Sequence, residues 1–121
     1  MRLVTLKRRA EFLRVRSGSR WTTPGFVLEA RGRGETGGGP STPRFGFTVT
    51  KQAGKAVVRN RIRRRLKAVV REVAAEYARV EFDYVLFARP AAIDRRFTDL
   101  RSDLITAFSR VHRGGARSRR R

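Results

Sequence analysis

Lys55-Ala-Val-Val-Arg-Asn-Arg-Ile-Arg-Arg-Arg-Leu-Lys-Ala-Val-Val-Arg71 is the stretch from which the fold can be read. Placed on a helix at about 100° per residue, Val58, Ile62, Leu66, Val69, Val73 and Tyr77 follow at spacings of four, four, three, four and four. They make a stripe roughly 100° wide, the width of a helix lying on a core. Asn60, Arg63, Arg64, Lys67 and Arg71 project from the opposite side, while Arg59, Arg61 and Arg65 flank the stripe. Like charges one turn apart repel, so this helix carries a cost that a polyanion would offset. A merely solvated face would mix signs. The basic face points to nucleic acid.

The whole chain agrees. Its 121 residues make one domain, able to bury roughly two-thirds of its surface. Lys and Arg number 30 against 10 Asp and Glu, a net charge of +20 that favours fast, salt-sensitive association with phosphates. A hydrophobic fraction of 40% suffices for a small core. No apolar run approaches the roughly 20 residues of a membrane span, and Met1 to Arg9 has no signal-peptide core. There is no cysteine, hence no disulfide framework or thiolate metal site. A cytoplasmic protein without membrane attachment is expected.

Upstream of the basic helix, Arg44-Phe-Gly-Phe-Thr-Val-Thr50 alternates. Phe45, Phe47 and Val49 point one way; Gly46, Thr48 and Thr50 form a small second face that a backbone or sugar-phosphate chain can approach closely. Lys51 to Gly54 turns into the helix, and Lys55 cannot cap its first N–H groups, which are left for an anion. Further back, Phe26 to Arg31 alternates as a strand, with Phe26, Leu28 and Ala30 opposite Val27, Glu29 and Arg31. Gly32 to Pro43 reads as a long hairpin loop. Ser19 to Pro24 is a connector in which Trp21 to Thr23 can begin an edge strand. Lys7 to Ser17 is a short helix closed by Gly18. Its Phe12 admits two readings, a core anchor or a stacking platform for an unpaired base. Downstream, Phe82 to Ala88 is nearly continuous in apolar residues, as a strand covered on both faces is. A last helix opens near Thr98, with Leu100, Leu104, Phe108 and Val111 as its stripe. Residues 114–121 read as a disordered basic tail after a domain of residues 1–113.

No catalytic constellation is visible. His112, the single histidine, is expected at the surface beside the tail. Glu72 and Glu76 lie one turn apart, but neutralising nearby arginines accounts for them better than a weak Mg²⁺ site. Asp99 and Asp103 suit a helix start. No Ser or Thr has an evident general-base partner. Any reaction must borrow its catalytic groups from elsewhere.

Phe45-Gly-Phe-Thr-Val-Thr-Lys51, the turn with Gly54, and Ala56-Val-Val-Arg-Asn-Arg-Ile-Arg-Arg-Arg-Leu66 closely resemble the bacterial ribonuclease P protein subunit, whose signature is a basic helix centred on Arg-Asn-Arg. Glu11-Phe12 with Val15 and Gly18 is similar to that family's first helix, and Asp83 to Arg89 to its strand after the crossover. The resemblance covers residues 5 to 110. It implies an α+β fold, a single-domain α/β sandwich like the second domain of ribosomal protein S5, in the order α-β-β(-β)-α-β-α. The usual handedness rule favours a right-handed crossover; the resemblance implies a left-handed one around the basic helix.

It further implies a ribonucleoprotein endonuclease that removes the 5′ leader of precursor tRNA. Catalysis would lie in an RNA subunit that binds most of the Mg²⁺, with no catalytic residue on the protein. By that resemblance Arg59, Asn60, Arg61, Arg64, Arg65 and Lys67, with Arg63 and Arg71 on the same basic face, contact the catalytic RNA. Phe12, Arg16, Thr48, Thr50 and Lys51 line a leader cleft, Arg16 standing where the family usually has an aromatic. Lys55 replaces an asparagine often found there. The partners implied are the catalytic RNA and precursor tRNA, and no DNA. Two other classes stay open from the residues alone: a ribosomal or other structural RNA-binding protein, and a DNA-binding protein using Asn60 and its arginines in a major groove.

Overall fold

In the computed structural model the described residues are 3–33 and 42–114. The elements in chain order are β1 (Val4–Thr5), α1 (Arg9–Arg16), β2 (Ser19–Thr22), β3 (Phe26–Gly32), β4 (Arg44–Thr48), α2 (Ala56–Tyr77), β5 (Phe82–Ala88) and α3 (Phe97–Gly114). Short 3-10 turns precede α2 at Lys51–Ala53 and follow β5 at Pro90–Ile93. The strands form one sheet in the order β1-β4-β5-β3-β2. β4 and β5 run parallel with α2 as their crossover, β1 runs parallel to β4, and β3 is antiparallel to both β5 and β2. This is a mixed α+β single domain. Most of the expected loop (residues 34–41) and the tail beyond Gly114 lie outside the described residues.

Alternation divides the sheet into two faces. On one, Phe26, Leu28, Ala30, Phe45, Tyr84, Leu86 and Ala88 are buried beneath α2 and α3. α2 contributes Ile62, Leu66, Val69 and Val73 as its spacing requires, with Val70 and Ala74 widening the stripe. The two ends of that stripe differ from expectation, since Val58 is only partly buried and Tyr77 is exposed where the helix runs past the sheet. α3 adds Leu100, Leu104, Ala107, Phe108 and Val111. The other face carries α1 alone, over a small cluster of Leu6, Val15 and Val85 with Phe12 packed against it.

Three local results correct the reading by sequence. His112 is not a surface residue: it lies one turn after Phe108 on the buried side of α3. Its ring stacks on Phe108 at 5.8 Å and meets Phe82 and Tyr84 edge-on. β1 was not foreseen, because two residues hold no periodicity. Asp103 does not serve the start of α3 but accepts from Arg95 Nε at 2.7 Å, while Glu72 pairs with Arg101 at 2.7 Å as expected.

The turn into α2 depends on Gly54, whose φ of 138° lies where side-chained residues are strained. Lys55 stands at the N-cap without a side-chain bond to the helix.

Candidate nucleic-acid interface

α2 presents the first basic surface. Asn60, Arg61, Arg64 and Arg71 are exposed, and Arg63 donates to Asn60 Oδ1 at 2.9 Å, fixing part of that face. Two expected contact residues have other partners. Arg65 turns inward, its guanidinium donating to the backbone carbonyls of Ala92 (3.1 Å) and Arg95, so it fastens α2 to the turn after β5. Lys67 does not face away from the sheet: its ammonium lies 5.9 Å from the centroid of the Phe47 ring, a cation–π distance. Arg59 is partly buried on the flank of the helix.

The second surface lies on the α1 side of the sheet, where cross-strand register places side chains in rows. Arg31, Asp83 and Arg44 form one row, Arg20, Glu29, Val85 and Gly46 the next, and Thr22, Val27, Phe87 and Thr48 the third. α1 covers the first two in part. Its Glu11 accepts from Arg44 at 3.2 Å, and its C-terminal end is held by Arg31, which donates to Arg14 O and Ser17 Oγ.

Between these ends Phe12 lies flat against Gly46. A Cβ at that position would overlap the Phe12 ring. The close approach that the Gly-Thr face permits is therefore taken, at Gly46, by this ring. Phe12 remains partly exposed, packed on the sheet and open along one edge.

The third row is left uncovered. It floors a groove of about 450 Å³ lined by Arg16, Arg20, Thr22, Val27, Glu29, Phe87 and Arg89. Of the expected cleft residues, Arg16 lines this groove and Thr48 stands beside Phe87 in the same row. Thr50 and Lys51 lie beyond the end of β4, Lys51 exposed. Arg20, Glu29, Phe87 and Arg89 were not foreseen as site residues. The alternation of β3 did put Glu29 on this face, but only the β3–β5 register brings Val27 beside Phe87.

The electrostatics of the two sheet acids differ. Burial pushes the Asp83 carboxyl up, but bonds from Arg44 (2.8 and 2.9 Å) and Arg33 (2.8 Å) outweigh it and hold the group below the ordinary aspartate value. For Glu29 burial prevails and the carboxyl is raised, with Arg20 and Arg16 pulling weakly the other way. Glu11 is lowered, mainly because the Arg8 and Lys7 amides donate to it at the start of α1. Among the described residues no group of three or more His, Asp or Glu could hold a metal ion, and no helix is long and apolar enough to cross a membrane.

Comparison with known proteins meets the same fold. The chain is 43% identical over 122 residues to a ribonuclease P protein component of Brucella suis, covering 95% of this chain and 86% of the relative. It is 48% identical over 100 residues to one of Gluconacetobacter diazotrophicus, covering 82% and 83%. The solved RNase P protein of Staphylococcus aureus superposes with a TM-score of 0.71 at 23% identity, covering 89% of this chain and 94% of that one. That of Thermotoga maritima gives 0.69 at 24%, covering 84% and 92%. The sequence profile of the family described as Ribonuclease P matches residues 1–112, and over that span the chain belongs to the ribonuclease P protein family.

Proposed function

We propose that the chain is the RNA-binding protein subunit of a ribonuclease P, in which an RNA subunit cuts the 5′ leader from precursor tRNA. The observation that carries this reading is the partition of α2. Ile62, Leu66, Val69 and Val73 fix the helix to the core, while Arg61, Arg64 and Arg71 stand exposed with no acid on the same turns before Glu72. Such a face gives a phosphate backbone fixed positive charge without a change of shape. The groove beside α1, rimmed by Arg16, Arg20 and Arg89, suits a single strand, because Val27 and Phe87 offer apolar surface between cations.

Mg²⁺ belongs with the RNA in this division of labour. The acids nearest the two surfaces are engaged by guanidiniums, Glu11 and Asp83 by Arg44, and Glu72 by Arg101, so they do not suit a resident ion. The chain would bind catalytic RNA through α2 and the leader through the groove, in the cytoplasm.

Reconstitution tests this. Protein alone should leave precursor tRNA intact, and protein with its RNA subunit at low Mg²⁺ should release the leader. Cleavage by RNA-free protein, abolished by changing one of its carboxylates, would overturn the proposal. Copurification with whole ribosomes instead of one discrete RNA would favour a structural RNA-binding role.

A further inference from the structure

We propose that the groove between α1 and the open row of the sheet is a pocket for one unpaired guanine of the bound RNA, and that Glu29 reads the base. This rests on the leader-binding reading above and names what the groove selects.

Glu29 is 4% exposed yet lines the groove. Its only partner among the described residues is Arg20, at 3.8 Å, beyond hydrogen-bond reach and on a side chain 56% exposed. A buried carboxylate normally accepts hydrogen bonds. Asp83, on the neighbouring row of the same face, receives them from two arginines; Glu29 does not. The groove thus ends on an acceptor pair that lacks donors. The raised Glu29 carboxyl is the electrostatic expression of that deficit.

The chemistry of the bases then decides the occupant. The Watson–Crick edge of guanine offers two adjacent donors, N1–H and the N2 amine, which match the two oxygens of one carboxylate. Adenine and cytosine place a ring acceptor beside their single amine, and uracil sets its one imino proton between two carbonyls. Both arrangements turn a lone pair toward the carboxylate. Val27 stands two residues from Glu29 on the same face, roughly 6.6 Å along the strand. With Phe87 beside it, it provides an apolar floor on which a base can lie with its edge toward Glu29. Arg16, Arg20 and Arg89 surround the opening for the flanking phosphates, and Arg89 is held in place by donating to Thr23 O at 2.9 Å.

The test uses the reconstituted holoenzyme and precursor tRNAs with an all-uridine leader, into which G, A, C or inosine is placed at each position in turn. Mature tRNA serves as the leaderless reference. At one position guanine should tighten binding roughly tenfold or more over uridine, adenine and cytosine should not, and inosine, lacking the N2 amine, should lose most of the gain. Glu29→Gln should bring guanine level with uridine at that position without lowering the melting temperature. Preference for another base, inosine equal to guanine, or a guanine preference that survives Glu29→Gln would overturn the assignment. A leader that strengthens binding with no preference at any position would refute the pocket and leave the leader-binding reading standing. A leader that adds nothing over mature tRNA would remove both.

Discussion

The Tyr84 hydroxyl and His112 Nε2 stand 2.5 Å apart, and the donors around them fix the proton. The Arg79 amide donates to the Tyr84 oxygen at 2.8 Å, so the hydroxyl donates to Nε2 and the imidazole is neutral. Burial, helped by the Arg79 charge, pushes His112 down to about 4. A depressed histidine contributes stability that is complete above its unfolded value near 6.5 and lost as pH falls toward 4, in all on the order of 3 kcal/mol. Melting temperatures from pH 7.5 to 4.5 should therefore decline more steeply for the wild type than for His112→Gln. Glu29 titrates in the opposite sense and is present in both, so the difference between the two curves isolates the histidine. Parallel curves would contradict the assignment.

Arg64 and Arg65 are neighbours with separate duties. Arg64→Ala should reduce the log–log salt slope of RNA-subunit binding by roughly 0.7 to 0.9 for each phosphate the side chain neutralises and leave the melting temperature unchanged. Arg65→Ala should destabilise the fold by about 1.5–3 kcal/mol, since it removes the charged hydrogen bonds to Ala92 and Arg95. Salt titrations and thermal melts on both variants decide it; a large melting shift in Arg64→Ala would place that side chain on the wrong face.

Phe12 and Gly46 are coupled by direct packing. Gly46→Ala must displace the Phe12 ring and should cost about 1–3 kcal/mol. In a Phe12→Ala background the same change should cost much less, giving a coupling energy of roughly 0.5 kcal/mol or more, as for touching residues generally. Additive effects would mean that the ring does not rest on the glycine. Because Phe12 also keeps an open edge, Phe12→Ala should weaken precursor tRNA binding more than mature tRNA binding. Equal weakening of both would make it a packing residue alone.

Asp83 joins β5 to Arg33 and Arg44. Asp83→Asn leaves both guanidiniums short of a charge in a buried place and should cost about 3–5 kcal/mol. With the aspartate lowered in the fold, its stabilising contribution is present above its unfolded value and is lost as the pH falls through the folded one. Denaturant melts of the variant at pH 7 check the first point, and an unchanged midpoint would refute it.

The core face was legible in the order of residues. The spacing of Val58 to Val73 and the alternation from Phe26 and from Phe45 located it, because side-chain period follows backbone geometry directly. Partnership was not legible. Nothing local to Arg65 distinguishes it from Arg64, and only the chain returning at Ala92 and Arg95 gives it carbonyls to bind. His112 looked like part of a basic tail because its neighbours in sequence are basic, whereas its neighbours in space are Phe82, Tyr84 and Phe108. The groove was half visible: Arg16 and Thr48 came from the family pattern, but Arg20, Glu29 and Phe87 meet through strand register, which no single segment encodes.

The placement of α2 and the groove on opposite faces of one sheet has a consequence for how the molecule holds an RNA. β5 is hydrogen-bonded on both sides, to β4 that leads into α2 and to β3 that floors the groove, so the two surfaces move as one body. An RNA assembly that reached both would bind as a bivalent ligand: engagement of one face raises the effective concentration of the other segment at its own site. Affinity would then depend on the span between the two RNA segments. A connector too short to pass around the sheet edge would forfeit the gain while leaving each binding surface intact.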